Sequence, residues 1–272
     1  MKIRKTEIAQ LIFDNLTANR EFLKIQFLKS KATIGYFFID DLLPEELALE
    51  IYNKFPTTDK AVRKKNLREF KFTAYQMDLY DSLLEDLIYA FQDEKVIRLI
   101  SEICGLEEVY GDENLYAGGL SLMEKDNFLN PHLDNSHDKD RERWRVLNLL
   151  YYVTPNWTLE NGGNLEVWPN GLKQAQTTLE SKFNRLVVMT THQQSWHSVS
   201  KVLKQDIRRC VSNYYFSNTP LLESDTFHVT TFRGRSSEKV KDLILRVDNT
   251  LRSKIRKLFK KGVRENPHQY KK

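Results

Sequence analysis

Apolar residues change rhythm twice along this 272-residue chain. Between residues 5 and 29 they fall at mixed spacings: Ile8, Leu11, Ile12 and Leu16, then Phe22, Leu23, Ile25 and Phe27. That pattern predicts one or two helices, or a helix followed by a strand. The β-branched and aromatic run Thr33–Ile39 predicts a strand that stops at Asp40 and Asp41. Pro44 then opens a helix at its first turn, with Glu45 and Glu46 favourable at its N-terminus. This helix is expected to reach about Lys54 and to stop before Pro56, and the polar, basic residues 57–69 read as a loop. Leu83, Leu87, Phe91, Val96, Leu99, Ile100 and Ile103 are helically spaced but interrupted at Gln92-Asp93-Glu94, which predicts two short helices ending at Gly105.

After Gly105 the pattern becomes that of strands. Candidates are Leu115–Met123, Arg145–Val153, Asn164–Trp168 after the turn Asn161-Gly162-Gly163, Arg185–Thr191, His197–Val202 and Arg208–Phe216. Six strands with turn chemistry between them predict a sandwich or barrel. Helical spacing returns at Ser236. Val240, Leu243, Ile244, Val247, Leu251, Ile255 and Leu258 form an apolar stripe with Lys and Arg on the other faces, Gly262 ends the helix, and residues 263–272 read as a frayed tail. The expected organisation is a support region over 1–110, a strand core over 111–220 and a basic helical extension over 221–272.

Composition narrows the classes. A hydrophobic content of 40% with 11% aromatics is enough to bury a sizeable core. No stretch approaches ~18 uninterrupted apolar residues, so no membrane span is expected. The first residues lead into no long apolar run, so no signal peptide is expected either. The only two cysteines, Cys104 and Cys210, are far apart and outside any Cys-x-x-Cys pattern, which fits a reducing cytoplasm. Charge is uneven. Residues 239–272 hold 12 Lys and Arg against 3 Asp and Glu, a net of +9, so the +5 of the whole chain leaves −4 for residues 1–238.

The candidate chemistry starts at Asn130-Pro131-His132-Leu133-Asp134. In an extended strand, residues two apart share a face, roughly 6–7 Å apart along the strand, so His132 and Asp134 can converge on one ion. A second histidine would complete the two-histidine, one-carboxylate facial triad of non-haem Fe(II) oxygenases, which leaves open positions on the metal. Three histidines are available downstream. His137 lies in a polar loop and is expected in solvent, His192 ends the strand Leu186–Met189 in a turn-like Thr-His-Gln-Gln, and His197 lies in Trp196-His197-Ser198-Val199. Arg208 follows eleven residues after His197, on a strand. An arginine's planar fork suits the far carboxylate of a bound keto acid. Neighbours on a strand point to opposite faces, so Arg208 shares a face with the small residues Cys210 and Ser212, and Arg209 is expected on the outer side with Val211 and Asn213, as a surface cation.

Taken together, His132-Leu133-Asp134, Trp157 to Trp168 with Gly162-Gly163, Phe183-Asn184-Arg185-Leu186-Val187, Trp196-His197-Ser198-Val199 and Arg208 resemble the Fe(II)- and 2-oxoglutarate-dependent oxygenases of the prolyl-hydroxylase type. The likeness spans about residues 115–218. It implies an α+β fold whose core is a double-stranded β-helix, a jelly-roll barrel braced by N-terminal helices, with the basic amphipathic helix appended here. It implies His132, Asp134 and His197 as iron ligands and Arg208 as the partner of the 2-oxoglutarate far carboxylate, with cysteine (Cys210) where the family's Arg-x-Ser-like pattern has serine. Tyr152 is implied as a second group on that carboxylate. Asn148 shares the face of Tyr152 by period two and is a candidate for the pocket wall. Fe(II), 2-oxoglutarate and O2 are the implied cofactor and co-substrates, with ascorbate as a candidate reductant and hydroxylation of an unactivated C–H bond as the implied outcome.

The substrate stays open between a prolyl or other aminoacyl residue in a protein, a free amino acid or other small molecule, and a sugar or lipid-linked intermediate, because one fold hosts many substrates. Contacts to it are expected from the loop Asn135–Trp144. A competing class is a non-catalytic barrel that docks through its basic helix onto an anionic partner, nucleic acid or lipid. The plain expectation for that helix is packing on its own domain with the lysines in water.

Overall fold

The computed structural model describes residues 3–258 and Tyr270. The ambiguous first stretch forms two helices, α1 (Lys5–Ala18) and α2 (Arg20–Ser30), separated at Asn19. Strand β1 (Tyr36–Ile39) follows, then α3 (Glu45–Lys54), which starts at Pro44 and ends one residue before Phe55-Pro56 as the proline signals predict. The expected loop 57–69 is not all loop. It contains β2 (Val62–Lys65) and the start of β3 (Glu69–Ala74), an antiparallel hairpin. Period-two apolar alternation is missing there because β2 is an edge strand, mostly exposed and rich in Lys and Arg, the usual protection of an edge against pairing.

Helices α4 (Ser82–Ala90) and α5 (Glu94–Cys104) take the two predicted positions, capped by Asp81 and Asp93. Gly105 stops α5 at φ 65°, a conformation only glycine adopts cheaply. The remaining strands are β4 (Val109–Tyr110), β5 (Gly119–Met123), β6 (Phe128–Leu133), β7 (Trp144–Tyr152), β8 (Leu165–Val167), β9 (Thr177–Leu179), β10 (Arg185–Thr190), β11 (His197–Val199), β12 (Arg208–Ser217) and β13 (Thr231–Phe232), followed by α6 (Lys239–Leu258).

All pairings are antiparallel, in the order β1-β10-β7-β12-β5-β3-β6-β11-β8-β9, with β13 on β6, β2 on β3 and β4 on β12. The sheet curls, so that residues of β6, β8 and β11 from one half and of β5, β7 and β12 from the other line one cavity. This is the expected double-stranded β-helix. Its outer face over β7, β10 and β12 is covered by α1, α3, α4 and α5, which bury Ile8, Ile12, Ile51, Leu84 and Ile100 against Leu147, Leu149, Tyr151 and Val188. The turn before β8 needs glycine. Gly162 has φ 70°, and a Cβ there would meet the Lys201 carbonyl oxygen at 2.0 Å.

Three expectations about burial change. His137 is buried, not solvated, because Phe227 from a segment ninety residues away packs edge-on against its ring. Arg209 is not a free surface cation. The outer side of β12 faces α3, so its guanidinium lies 4.6 Å over the Tyr52 ring while Val211 and Asn213 beside it are buried. Helix α6 forms, but its apolar stripe faces away from the body: Val240, Leu243, Ile244, Val247, Leu251 and Ile255 are 47–75% exposed, and Leu245 and Asn249 on the other side are buried. The predicted helix end at Gly262 and most of the predicted tail lie outside the described residues.

Candidate functional site

The antiparallel pairing of β11 with β6 sets His197 opposite His132, which brings their rings to 4.1 Å between centroids. Asp134 lies just past the end of β6 on the same face as His132. Its two carboxylate oxygens reach one histidine each, Oδ1 at 3.6 Å from His132 Nε2 and Oδ2 at 3.7 Å from His197 Nε2. All three ligand atoms lie within 4.8 Å of one another. Neighbouring ligands of an ion held at about 2.0–2.2 Å stand some 3–3.5 Å apart, so the set fits a single cation with small adjustments.

The imidazoles are already turned for this. His132 Nδ1 lies 3.0 Å from the Asn130 carbonyl and His197 Nδ1 lies 2.9 Å from the Ser195 carbonyl. A carbonyl can only accept, so each Nδ1 carries the hydrogen and each Nε2 is left with a lone pair toward the centre. Phe232 of β13 stacks on His132 at 5.1 Å and holds the ring from behind. Burial, reinforced by His132, pushes His197 down to about 4 against the pull of Asp134, so the ring is neutral at physiological pH. Burial alone would raise the Asp134 carboxyl. The neighbouring His132, His197 and Arg145 outweigh it and hold the group far below the usual carboxylate range. Ligands must be deprotonated to bind a metal, and both groups meet that condition.

The triad opens into a cavity of about 110 Å³. Arg208 enters it from β12, on the face of Cys210, Ser212 and Tyr214. It is buried, with its guanidinium 4.8 Å over the Tyr152 ring, Nε 3.3 Å from Ser181 Oγ and Nη1 3.5 Å from Met123 Sδ. No carboxylate among the described residues pairs with it. Arg208 also explains Gly163, whose Cβ would press on Arg208 Cδ at 3.0 Å. Burial raises the Tyr152 hydroxyl to about 12 despite the nearby Arg208 charge, so it stays a hydrogen-bond donor. Asn148 lines the cavity and donates to Asp134 Oδ2 at 3.5 Å. Its buried Oδ1, and Thr73 Oγ1 on another wall, have no hydrogen-bond partner among the described residues. Buried polar atoms left this way point to a ligand. His192 is outside the cluster, its Nδ1 accepting from the Gln194 backbone at 3.1 Å.

Two kinds of residue escaped the sequence. Arg145 sits with Nη1 3.9 Å from Asp134 Oδ2, stacked on Tyr214 at 4.3 Å. Strict alternation along β7 would put it with Leu147 and Leu149 on the outer face, but the pairing with β12 slips between Tyr215 and Phe216. This bulge turns both Val146 and Leu147 outward and Arg145 inward. Lys71, Thr73 and Phe232 come from outside the predicted core, on strands too short or too polar to be read.

The fold is a double-stranded β-helix, and the cluster of His132, Asp134 and His197 in its cavity has the donor set of a facial triad. Residues 118–217 match the family model described as the 2OG-Fe(II) oxygenase superfamily. No curated protein matches the chain. Among solved structures the fold is similar to a prolyl-4-hydroxylase from Pseudomonas putida, at 17% identity over 72% of this chain and 98% of that one, with a TM-score of 0.54. It is also similar to a prolyl 4-hydroxylase from Phytophthora capsici, at 16% identity over 92% and 77%, TM-score 0.54. A third is the non-haem α-ketoglutarate-dependent epimerase SnoN from nogalamycin biosynthesis, at 12% identity over 74% and 84%, TM-score 0.53. The core of the sheet thus carries the 2OG-Fe(II) oxygenase match over residues 118–217, a two-histidine, one-carboxylate cluster, and a fold like that of the prolyl hydroxylases.

Proposed function

We propose that the protein hydroxylates an unactivated C–H bond of an aminoacyl residue, with prolyl as the first candidate, in a peptide or protein. His132, Asp134 and His197 would hold Fe(II), Arg208 with Tyr152 would hold the far carboxylate of 2-oxoglutarate, and Asn148 would steady Asp134. When bound, the metal and co-substrate supply the oxidising chemistry, in which 2-oxoglutarate is decarboxylated to succinate as the substrate gains one oxygen atom. The observation that carries this reading is the meeting of three convergent ligand atoms and an unpaired, buried arginine in one cavity.

The chain's own residues do the rest. The two Nδ1–H···O=C bonds fix the ligand tautomers, Phe232 excludes water from one side of His132, and Arg208 sets the direction of the keto acid. A peptide substrate is favoured by the β2–β3 hairpin. It stands at the mouth of the cavity, where Lys71 and Thr73 of β3 line the wall past which an extended chain would enter. The loop 135–144 would close the other side. The catalytic core, residues 111–220, would thus be completed from both flanks. Two buried free cysteines, Cys104 and Cys210, suit the cytoplasm. Among the described residues no helix is long and apolar enough to cross a membrane. Basic α6 would meet an anionic partner.

The test is 2-oxoglutarate turnover by the Fe(II)-loaded protein with and without peptide pools and small-molecule pools, the +16 Da product being identified by mass spectrometry. Stimulation by small molecules alone would end the peptide reading. Absence of 2-oxoglutarate-dependent oxidation from every pool, in protein that binds iron, would end the hydroxylase reading.

A further inference from the structure

Helix α6 is held to the body by its polar side. Asp248 pairs with Arg68 and Arg252, Asp242 pairs with Arg233, and the Asn249 amide exchanges hydrogen bonds with the backbone of Phe232. Leu245 is the one apolar side chain of the helix buried among the described residues, against Met123, Trp157 and Phe232. The stripe from Val240 to Ile255 therefore points directly away from the protein, along a helix about 30 Å long at 1.5 Å per residue. Spread over roughly 120° of the helix surface at about 100° per residue, it is wider than the two-position seam of a coiled coil.

Charge says what can cover it. Residues 239–258 carry seven Lys and Arg against two Asp and Glu, and both acids are consumed by the arginines that fasten the helix. Exposed Lys239 lies beside the stripe at its N-terminal end, and exposed Lys254 lies within it near its C-terminal end. A second copy of the same helix would bring two cationic surfaces together, and Lys254 stands seven residues after Val247 and fourteen after Val240, where a heptad seam needs an apolar group. An apolar face on a helix of net positive charge, with lysines long enough to reach out from it, fits a surface that is negative at the level of the lysine heads and apolar beneath it.

We propose that α6 is an interfacial anchor that lays its stripe into an anionic lipid surface, Val240, Leu243, Ile244, Val247, Leu251 and Ile255 entering the acyl boundary while the lysines meet the headgroups. The inference rests on the reading of α6 as the element that meets an anionic partner, and it names that partner as lipid. Among the described residues no helix is long and apolar enough to cross the bilayer. The protein lies on the membrane, with the body on the water side of the helix, and the cytoplasmic leaflet has the required charge.

The experiment is co-sedimentation of the full-length protein with vesicles of phosphatidylcholine alone or with a phosphatidylserine admixture. Wild type is compared with the triple variant Leu243→Asn, Val247→Asn, Leu251→Asn and with Lys239→Gln, Lys254→Gln. These side chains are exposed, so the variants keep the fold, and their 2-oxoglutarate turnover is measured to verify it. Binding is expected only with phosphatidylserine present, falling as salt rises, and weakened roughly a hundredfold or more by the triple variant. Three results would overturn the proposal: no binding to anionic vesicles at low salt, binding that the triple variant leaves unchanged, or a wild-type dimer in sedimentation velocity that the triple variant abolishes. Retention on an acidic protein or a nucleic acid with none on vesicles would overturn it as well. Because turnover is read separately, failure of the anchor and failure of the hydroxylase reading remain distinguishable.

Discussion

Arg208→Met is the sharpest test of the proposed co-substrate site. The guanidinium is buried in the cavity, and its protein neighbours are a hydroxyl at 3.3 Å, a thioether at 3.5 Å and the face of Tyr152. None of them offsets the charge, so the group waits for an anion. Removing one partner of a buried, hydrogen-bonded charge pair costs on the order of 2–5 kcal/mol, which at ~1.4 kcal/mol per decade raises the 2-oxoglutarate Kd roughly thirtyfold to a few thousandfold. Metal content should be unchanged, because the three proposed ligands sit on β6, just beyond it and on β11. The ligand-free protein should lose little or no stability, because the substitution removes an uncompensated buried charge and leaves a side chain of similar length. The assay is anaerobic titration of the Fe(II)-loaded protein with 2-oxoglutarate, followed by its visible absorption band, alongside thermal unfolding of the ligand-free form. Arg209→Ala serves as the control. It loses a stack on Tyr52 and a bond to the Ile207 carbonyl on the far side of the sheet, and its Kd should match wild type. A large loss of affinity in the Arg209 variant with none in the Arg208 variant would refute the assignment and put the strand register off by one.

His197→Ala should abolish both iron retention and turnover, and His192→Ala should leave both near wild type, measured by metal analysis and 2-oxoglutarate consumption; the reverse pattern would mean that the distal ligand is misassigned. Lys64 gives a pH signature. Burial, with the neighbouring Lys71 charge, pushes its amine from the ordinary 10.5 down to about 8. The unfolded chain then binds more protons than the folded one between these values, so this group makes stability rise with pH across that window and contributes no slope below it. Lys64→Gln should remove that rise in denaturation midpoints from pH 8 to 10.5, and identical curves for variant and wild type would show that the amine is not perturbed.

Local periodicity carried the helices α3, α4 and α5 and the long strands β7, β10 and β12, because 3.6- and 2-residue repeats are properties of neighbours in the chain. The same rule put His132 and Asp134 on one face and separated Arg208 from Arg209, so most of the site was legible as residue types at fixed offsets. What periodicity cannot encode is which distant strand lies opposite. Only the pairing of β11 with β6 brings His197 onto His132 across sixty-five residues, and only the slip against β12 turns Arg145 toward Asp134. The β2–β3 hairpin stayed hidden because an edge strand is selected for charge rather than alternation. His137 read as solvated because Phe227, which covers it, is invisible to its own loop. In α6 the sequence determined an amphipathic helix, but not which face meets the body. That was decided by Arg68, Arg233 and the backbone of Phe232, polar partners on other elements that draw Asp242, Asp248 and Asn249 inward and leave the apolar stripe outside.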